Sequence, residues 1–372
     1  MSEEIYVCSV CGERVICEDV YYFEDEVYCS DCLDEITVVC DHCGDRVRES
    51  DAVTDDNTSL CNRCYENNYY SCENCGAIIA ADSAYYLDND EEYPYCYSCY
   101  ERERRNLNIH DYNYKPDPLF YGNGSRFFGV ELEVDEGGKD EYNASEILCM
   151  ANDSCHERLY IKGDGSLDDG MELVTHPMTL DYHKNTMPWQ KIMQRLIGLG
   201  YRSHKTGTCG LHCHINRESF GNNPDEQEYA IARVLYFVEH HWAELLKFSR
   251  RSENQMQRWA NRYGMKNQPS EFIKDVKSRN SSRYVCINLQ NYNTIEFRLF
   301  RGTLKYNTFI ATLQLVNEIC NVAIFMCDDD MKNLSWSEFV QNINKEENSE
   351  LIIYLKERNL YINEPIESEE EQ

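Results

Sequence analysis

Three short segments in the second half of the chain alternate ionisable with apolar residues: Val130-Glu131-Leu132-Glu133-Val134, Leu211-His212-Cys213-His214-Ile215 and Ile295-Glu296-Phe297-Arg298-Leu299. Successive side chains of a strand point to opposite faces, so each segment predicts a strand with apolar residues on one side and Glu, His or Arg on the other. An ordinary half-buried strand carries Thr, Ser or Lys on its polar face, whereas this mixture is what divalent metals and phosphates require. Any one segment taken alone could be a solvent-facing strand. Together they predict one polyvalent site assembled from several strands.

The surrounding pattern supplies the frame. Strands are expected at 127–135, 158–163, 171–175, 211–216, 283–289 and 294–301, with a turn at Asp164-Gly165-Ser166 and a hairpin through Asn291-Tyr292-Asn293. Helices are expected near 141–154 and 186–199, and at 225–250, where Ile231, Leu235, Val238, Trp242 and Leu245 recur at helical spacing. Phe309 to Cys327 reads as a buried helix, because Asn317, Glu318 and Asn321 interrupt it. The class is α+β, with strands presenting the site and helices packed behind them. Residues 126–330 form this domain, and 331–372 a helical extension with an acidic tail, Glu367 to Gln372. Residues 106–125 form a linker whose Tyr112, Tyr114, Phe120 and Tyr121 predict packing along the domain.

The first 105 residues follow another rule. Twelve of the 20 cysteines form six C-x-x-C pairs: Cys8/Cys11, Cys29/Cys32, Cys40/Cys43, Cys61/Cys64, Cys72/Cys75 and Cys96/Cys99. The opening pairs recur every 32 residues (8, 40, 72), and each is followed by a closing pair, as a four-thiolate zinc site requires. Modules at 1–37, 38–69 and 70–105 are expected, each a treble clef or zinc ribbon holding one structural zinc ion. They resemble the ribbon and LIM-like families. A disulfide framework and a cross-braced pairing of alternate knuckles are the competing readings; Cys17 and His42 stand outside the scheme.

Charge narrows the partners. The formal net charge is −30, and residues 1–105 hold 26 Asp and Glu against 7 Arg and no Lys, which disfavours nucleic acid and favours docking of a protein or peptide on the zinc modules. The chain starts Met-Ser-Glu-Glu without a charged-then-apolar leader and lacks an uninterrupted apolar run of about 18 residues. A cytoplasmic protein without a membrane partner is expected.

Glu131, Glu133, Glu172 and Glu296 are hard oxygen ligands and His212 adds a nitrogen, a set suited to magnesium or manganese. Arg298 shares the face of Glu296, and Arg301 follows beside Gly302. Cations next to carboxylates suit a metal–phosphate site. In chain order, Gly129-Val130-Glu131-Leu132-Glu133, Gly210-Leu211-His212-Cys213-His214 and Thr294-Ile295-Glu296-Phe297-Arg298 resemble the G-x-E-x-E, G-x-H-x-H and I-E-x-R elements of glutamine synthetase and glutamate–cysteine ligase. Asp164-Gly165-Ser166-Leu167, Glu172-Leu173-Val174-Thr175-His176-Pro177 and Phe297-Arg298-Leu299-Phe300-Arg301-Gly302-Thr303 bring residues 112 to 326 closer to the compact, often phage-borne amidoligases of that superfamily.

The resemblance implies a glutamine-synthetase-like curved antiparallel sheet and ATP-dependent joining of a carboxylate to an amine through an acyl phosphate. By it, Glu131, His212 and Glu296 hold the metal at the ATP phosphates, Glu133 and Glu172 hold a second, and Arg298 and Arg301 steady the transferring phosphoryl group. Asp164 and His214 are candidates for substrate orientation. The chain departs from glutamine synthetase in having one clear glutamate, Glu172, where that enzyme has a separated pair, and in lacking its ammonia-guarding loop. Guanidino phosphotransfer on the same fold and an inactive zinc-finger adaptor remain alternatives.

Overall fold

The computed structural model describes residues 5–16, 19–87, 90–272 and 284–361; Cys17 and the acidic tail 367–372 lie outside them. The chain forms two compact units, Met1–Leu107 and Asn108–Gln372.

In the first unit the 32-residue repeat becomes two hairpins and a helix, three times over. The first copy pairs Ile5–Val7 with Arg14–Ile16 and Tyr21–Phe23 with Glu26–Tyr28, then enters the helix Ser30–Ile36. The second ends in the helix Asn62–Asn68 and the third in Tyr97–Asn106. Each opening knuckle turns at a glycine in the left-handed region, Gly12, Gly44 and Gly76 at φ 74°, 77° and 72°. Their N–H groups donate back to the carbonyls of Cys8, Cys40 and Cys72 at 3.0, 2.8 and 2.8 Å. A side chain there would strain the backbone, which accounts for glycine at these positions. The hydrophobic clusters are very small: in the first module Cys8, Val15, Tyr28, Cys32 and Leu33.

The second unit is built on a seven-stranded sheet of β1 (Ile109–His110), β2 (Phe128–Val134), β3 (Leu159–Lys162), β4 (Met171–Thr175), β5 (Gly210–Asn216), β6 (Ile287–Asn288) and β7 (Thr294–Arg301), in the order β1-β3-β4-β2-β5-β7-β6. The sheet is mixed: β1 runs parallel to β3 and every other pairing is antiparallel. The parallel edge comes from the linker, whose residues 109 and 110 join the sheet. His110 then stacks on Tyr114 with ring centroids 3.7 Å apart.

The alternation reads out as expected on the apolar side. Phe128, Val130, Leu132 and Val134, with Leu211, Cys213, Ile215, Ile295, Phe297 and Leu299, are at most 1% exposed. They share one core with the buried faces of the helices Trp189–Gly198, Pro224–His240 and Tyr306–Phe325. The last is long and apolar enough to cross a membrane by length and composition, but 67% of its most apolar window is buried inside the protein. It packs against Ser349–Glu357 and Pro224–His240.

One expected helix is broken and another starts late. The 225–250 stretch divides at His241 (φ −104°, ψ 32°), whose ring packs on Phe237 at 4.5 Å and Trp336 at 5.7 Å. The 186–199 helix begins only at Trp189, after a separate helix Leu180–Asn185. Pro188 accounts for the gap, because a proline biases the residue before it away from helical geometry. The expected strand at 283–289 is confined to Ile287–Asn288 within its described part.

Candidate active site

The cysteines assemble within each repeat: Cys8, Cys11, Cys29 and Cys32; Cys40, Cys43, Cys61 and Cys64; Cys72, Cys75, Cys96 and Cys99. In each quartet the sulfurs lie within 4.8 Å of one another. The Cys11–Cys29, Cys43–Cys61 and Cys75–Cys96 Sγ separations are 3.9, 4.0 and 3.8 Å. A tetrahedron with Zn–S bonds of about 2.3 Å has edges of about 3.8 Å, so all three sets fit structural zinc. All twelve thiols are free of disulfides, and the pairing is sequential, not cross-braced. His42 instead meets the Tyr69 hydroxyl through Nδ1 at 3.1 Å.

The other face of the sheet gathers the ionisable residues. Register sets Glu131 opposite His212, Glu133 opposite Glu172, Glu172 opposite Lys162, and His214 and Asn288 on either side of Glu296. His212 is the hub. Its Nδ1 is 3.1 Å from Glu131 Oε2 and 3.7 Å from Glu296 Oε1, while Nε2 is 3.9 Å from Glu133 Oε1. His214 Nε2 lies 3.2 Å from Glu131 Oε1. Arg298 is ion-paired with Glu296, which also accepts from Asn288 Nδ2 at 2.8 Å. Lys162 Nζ lies 3.1 Å from Glu172 Oε2.

Arg301 reaches this face through a bulge. Cys213 pairs with Phe297 but Leu211 pairs with Phe300, so two steps on β5 oppose three on β7. Strict alternation from Glu296 and Arg298 would send Arg301 into the core. The extra residue reverses the parity, burying Phe300 and setting Arg301 opposite Gly210. Arg301 Nη2 donates to the Thr206 carbonyl at 2.9 Å. Asp164 sits in its turn, Oδ1 accepting from Ser166 N at 2.7 Å, and its charge contributes to raising Glu133.

The carboxylates are poised unequally. Burial and the charge of Glu131 push Glu172 well above the ordinary range, against the pull of Lys162. Burial also raises Glu133, although His212 opposes it. Burial disfavours ionised Glu131 as well, but His214 and His212 outweigh it and hold this carboxyl well below the usual value. Glu296 is lowered for the same reason: His214, His212 and Arg298 overcome burial. His214 is correspondingly raised, since Glu131 and Glu296 prevail over its desolvation. Four crowded, mostly buried carboxylates thus call for more positive charge than the side chains provide.

That demand has a shape. Glu131, His212 and Glu296 bring one ligand atom each within 4.8 Å of one another, and so do Glu133, Glu172 and His212. Oxygen-rich groups of this kind fit magnesium or manganese; a neutral His212 has a single lone pair, so it serves one group at a time and a second ion would rest on the carboxylates. The sequence reading missed Lys162, Asn288 and Arg251. Lys162 was visible two positions before Asp164; Arg251 comes from a remote loop, and no strand pattern marks it. Arg251 Nη2 and His212 Nε2 lie 2.8 and 2.7 Å from where a Cβ on Gly210 would stand. Glycine there leaves room for both.

No curated protein matches the chain. Among solved structures, a bifunctional glutathione synthetase from Pasteurella multocida is 13% identical with a TM-score of 0.34, over 63% of this chain and 46% of that one. The chain therefore spans less than half the length of that protein, and a likeness of this degree carries no argument. Residues 162–320, which supply Glu172, His212, Glu296, Arg298 and Arg301, match the family described as "Putative amidoligase enzyme".

Proposed function

We propose that the second unit is an ATP-dependent ligase that joins a carboxylate to an amine, with the zinc modules docking the protein or peptide that carries one of them. The observation that carries the reading is the pair of three-ligand groups sharing His212 beside Arg298, most of whose residues fall within the segment matching the amidoligase family. In the proposed reaction a carboxylate oxygen attacks the γ-phosphorus of ATP and ADP leaves; the amine nitrogen then attacks the carbonyl carbon of the acyl phosphate, inorganic phosphate leaves, and loss of a proton from nitrogen gives the amide. Magnesium or manganese, when bound by Glu131, Glu133, Glu172, His212 and Glu296, would neutralise phosphate charge and lower the barrier to phosphoryl transfer.

The chain's own groups have separate tasks. Glu296 orients Arg298, whose guanidinium meets the charge that develops on the transferring phosphoryl group. Arg301, brought to the same face by the bulge, adds a second cation. His214 and Asp164 flank the ligands and orient substrate. A cysteine nucleophile is not part of the reading, because burial raises Cys213 out of the reactive range and pushes Cys209 up to about 12.

The test is ATP turnover by the full chain with Mg²⁺, candidate carboxylates and hydroxylamine. A hydroxamate formed together with ADP and phosphate supports the ligase. A stable phosphorylated guanidino product without hydroxamate supports phosphotransfer instead, and no turnover with any acceptor favours the adaptor.

A further inference from the structure

The loop between the helices Trp242–Ser249 and Glu253–Trp259 lies against the end of β7 and carries two arginines. Arg251 is 8% exposed, and its Nη2 donates to the Phe300 carbonyl at 3.1 Å. Arg250 holds a left-handed backbone, φ 65°, which is strained for a non-glycine residue, and donates to the Gly302 carbonyl at 3.2 Å. With Arg301, Arg358, Lys247 and His204 they line a cleft of about 530 Å³. No Asp or Glu lines it among the described residues.

These cations are held mainly by backbone carbonyls and, among the described residues, none is in an ion pair with a carboxylate; Glu133 attracts Arg251 from the neighbouring cluster. The Nε atoms of Arg250, Arg251 and Arg301 are buried without a hydrogen-bond partner. Burial lowers Arg250 and Arg251 only to about 10, so both remain charged at neutral pH. In a chain of net charge −30, five cationic side chains without an ion pair in one cleft form a preorganised receptor for anions.

The geometry points to a second anion subsite beside the metal-ligand cluster, which takes the carboxylates of an acidic peptide chain whose reacting carboxylate lies over that cluster. The inference rests on the ligase reading. Arg251 joins the two places, since it and His212 flank Gly210. Leu246 and Ala243 give the cleft an apolar wall for methylene stems, and guanidinium forks match carboxylates spaced along a chain. A triphosphate would favour a compact nest of backbone N–H groups instead. The cleft lining contains no glycine, and the adjoining helix start is closed by the reciprocal caps of Ser252 and Gln255.

Calorimetric titration of the full chain with triglutamate, and separately with Mg-ATP, tests this. Triglutamate binds the wild type in a salt-dependent way, Lys247→Gln/Arg358→Gln weakens it about tenfold or more, and Arg358→Lys largely keeps it. The double variant retains Mg-ATP affinity, whereas Glu296→Ala loses Mg-ATP and keeps the peptide. Absent triglutamate binding, equal affinity in the double variant, or a parallel tenfold loss of Mg-ATP would overturn the subsite. The last of these would make the cleft a nucleotide-phosphate site. Retained peptide binding without ligase turnover would instead count against the ligase reading alone.

Discussion

Both units gather groups of side chains that could hold a metal, but from opposite directions. In the first, each quartet comes from one short stretch, such as Cys8 to Cys32, and only a handful of buried side chains surrounds it. In the second, the ligands come from β2, β4, β5 and β7, and a large core fixes those strands from behind. A core of five residues cannot offset the entropy of ordering a 30-residue module, so zinc has to supply the difference. The sheet meets that cost by burying Val130, Leu132, Leu211, Phe297 and their neighbours, which leaves its carboxylates free to be bad for stability and good for binding. On the proposed reading metal would act as scaffold in one unit and as a tool in the other.

The comparison breaks first under chelation. Removing zinc should unfold the first unit, because binding energy of about 10–16 kcal/mol per structural site is folding energy there. Elemental analysis should find three zinc ions per chain, and Cys40→Ser should abolish hydrogen-exchange protection across residues 40–64 alone. A protected module in the zinc-free protein, or fewer than three ions, would refute the scaffold role. The second unit should respond the other way. Glu131→Ala or Glu296→Ala should lower turnover at least about a thousandfold while the sheet stays folded with only a modest loss of melting temperature, since each opens a gap in a polar cleft and not a hole in the core, although His214 or Arg298 loses a partner. A sheet that melts with these substitutions would make its ligands structural too.

The same contrast explains what could be read in the chain. Cysteine knuckles are local, so the spacing of Cys8, Cys40 and Cys72 already implied the quartets found in the structure. The two-residue alternation is local as well, and it correctly separated Leu132 and Phe297 from Glu131 and Glu296. Non-local features escaped. The bulge that turns Arg301 depends on how β7 meets β5, and Arg251 reaches the site from a loop between helices. His241 sits inside an unbroken apolar period and leaves the helix because its ring packs between Phe237 and Trp336.

Gly210 sharpens the comparison inside the second unit. A methyl group there would stand 2.7 Å from His212 Nε2 and 2.8 Å from Arg251 Nη2, so both must shift, while no core side chain is among its three nearest neighbours. Gly210→Ala should therefore reduce turnover by about a hundredfold, the scale of a misplacement of about 1 Å in an active site, with only a small change in melting temperature. Equal losses of stability and activity would mean that the site and its supporting sheet are not separable.

The smallest effect concerns pH and the core alone. His183 is fully buried, its ring meeting the Phe128 carbonyl through Nε2 at 3.0 Å and accepting from Trp189 Nε1 through Nδ1 at 3.3 Å. Both contacts suit the neutral ring with its proton on Nε2. A second proton on Nδ1 would face the indole N–H. Burial lowers this histidine from the ordinary 6.5 to about 4, the carbonyl only partly opposing it. Between those values the unfolded chain binds the proton that the folded one refuses, so stability is fully present above pH 6.5 and declines as pH falls toward 4. At pH 5 the loss should be about 2 kcal/mol. Urea titrations of the second unit's tryptophan fluorescence at pH 7.5 and 5 measure it. In a variant that removes the titration, such as His183→Gln, this part of the pH dependence should vanish, and an unchanged pH slope would show that His183 does not control acid stability.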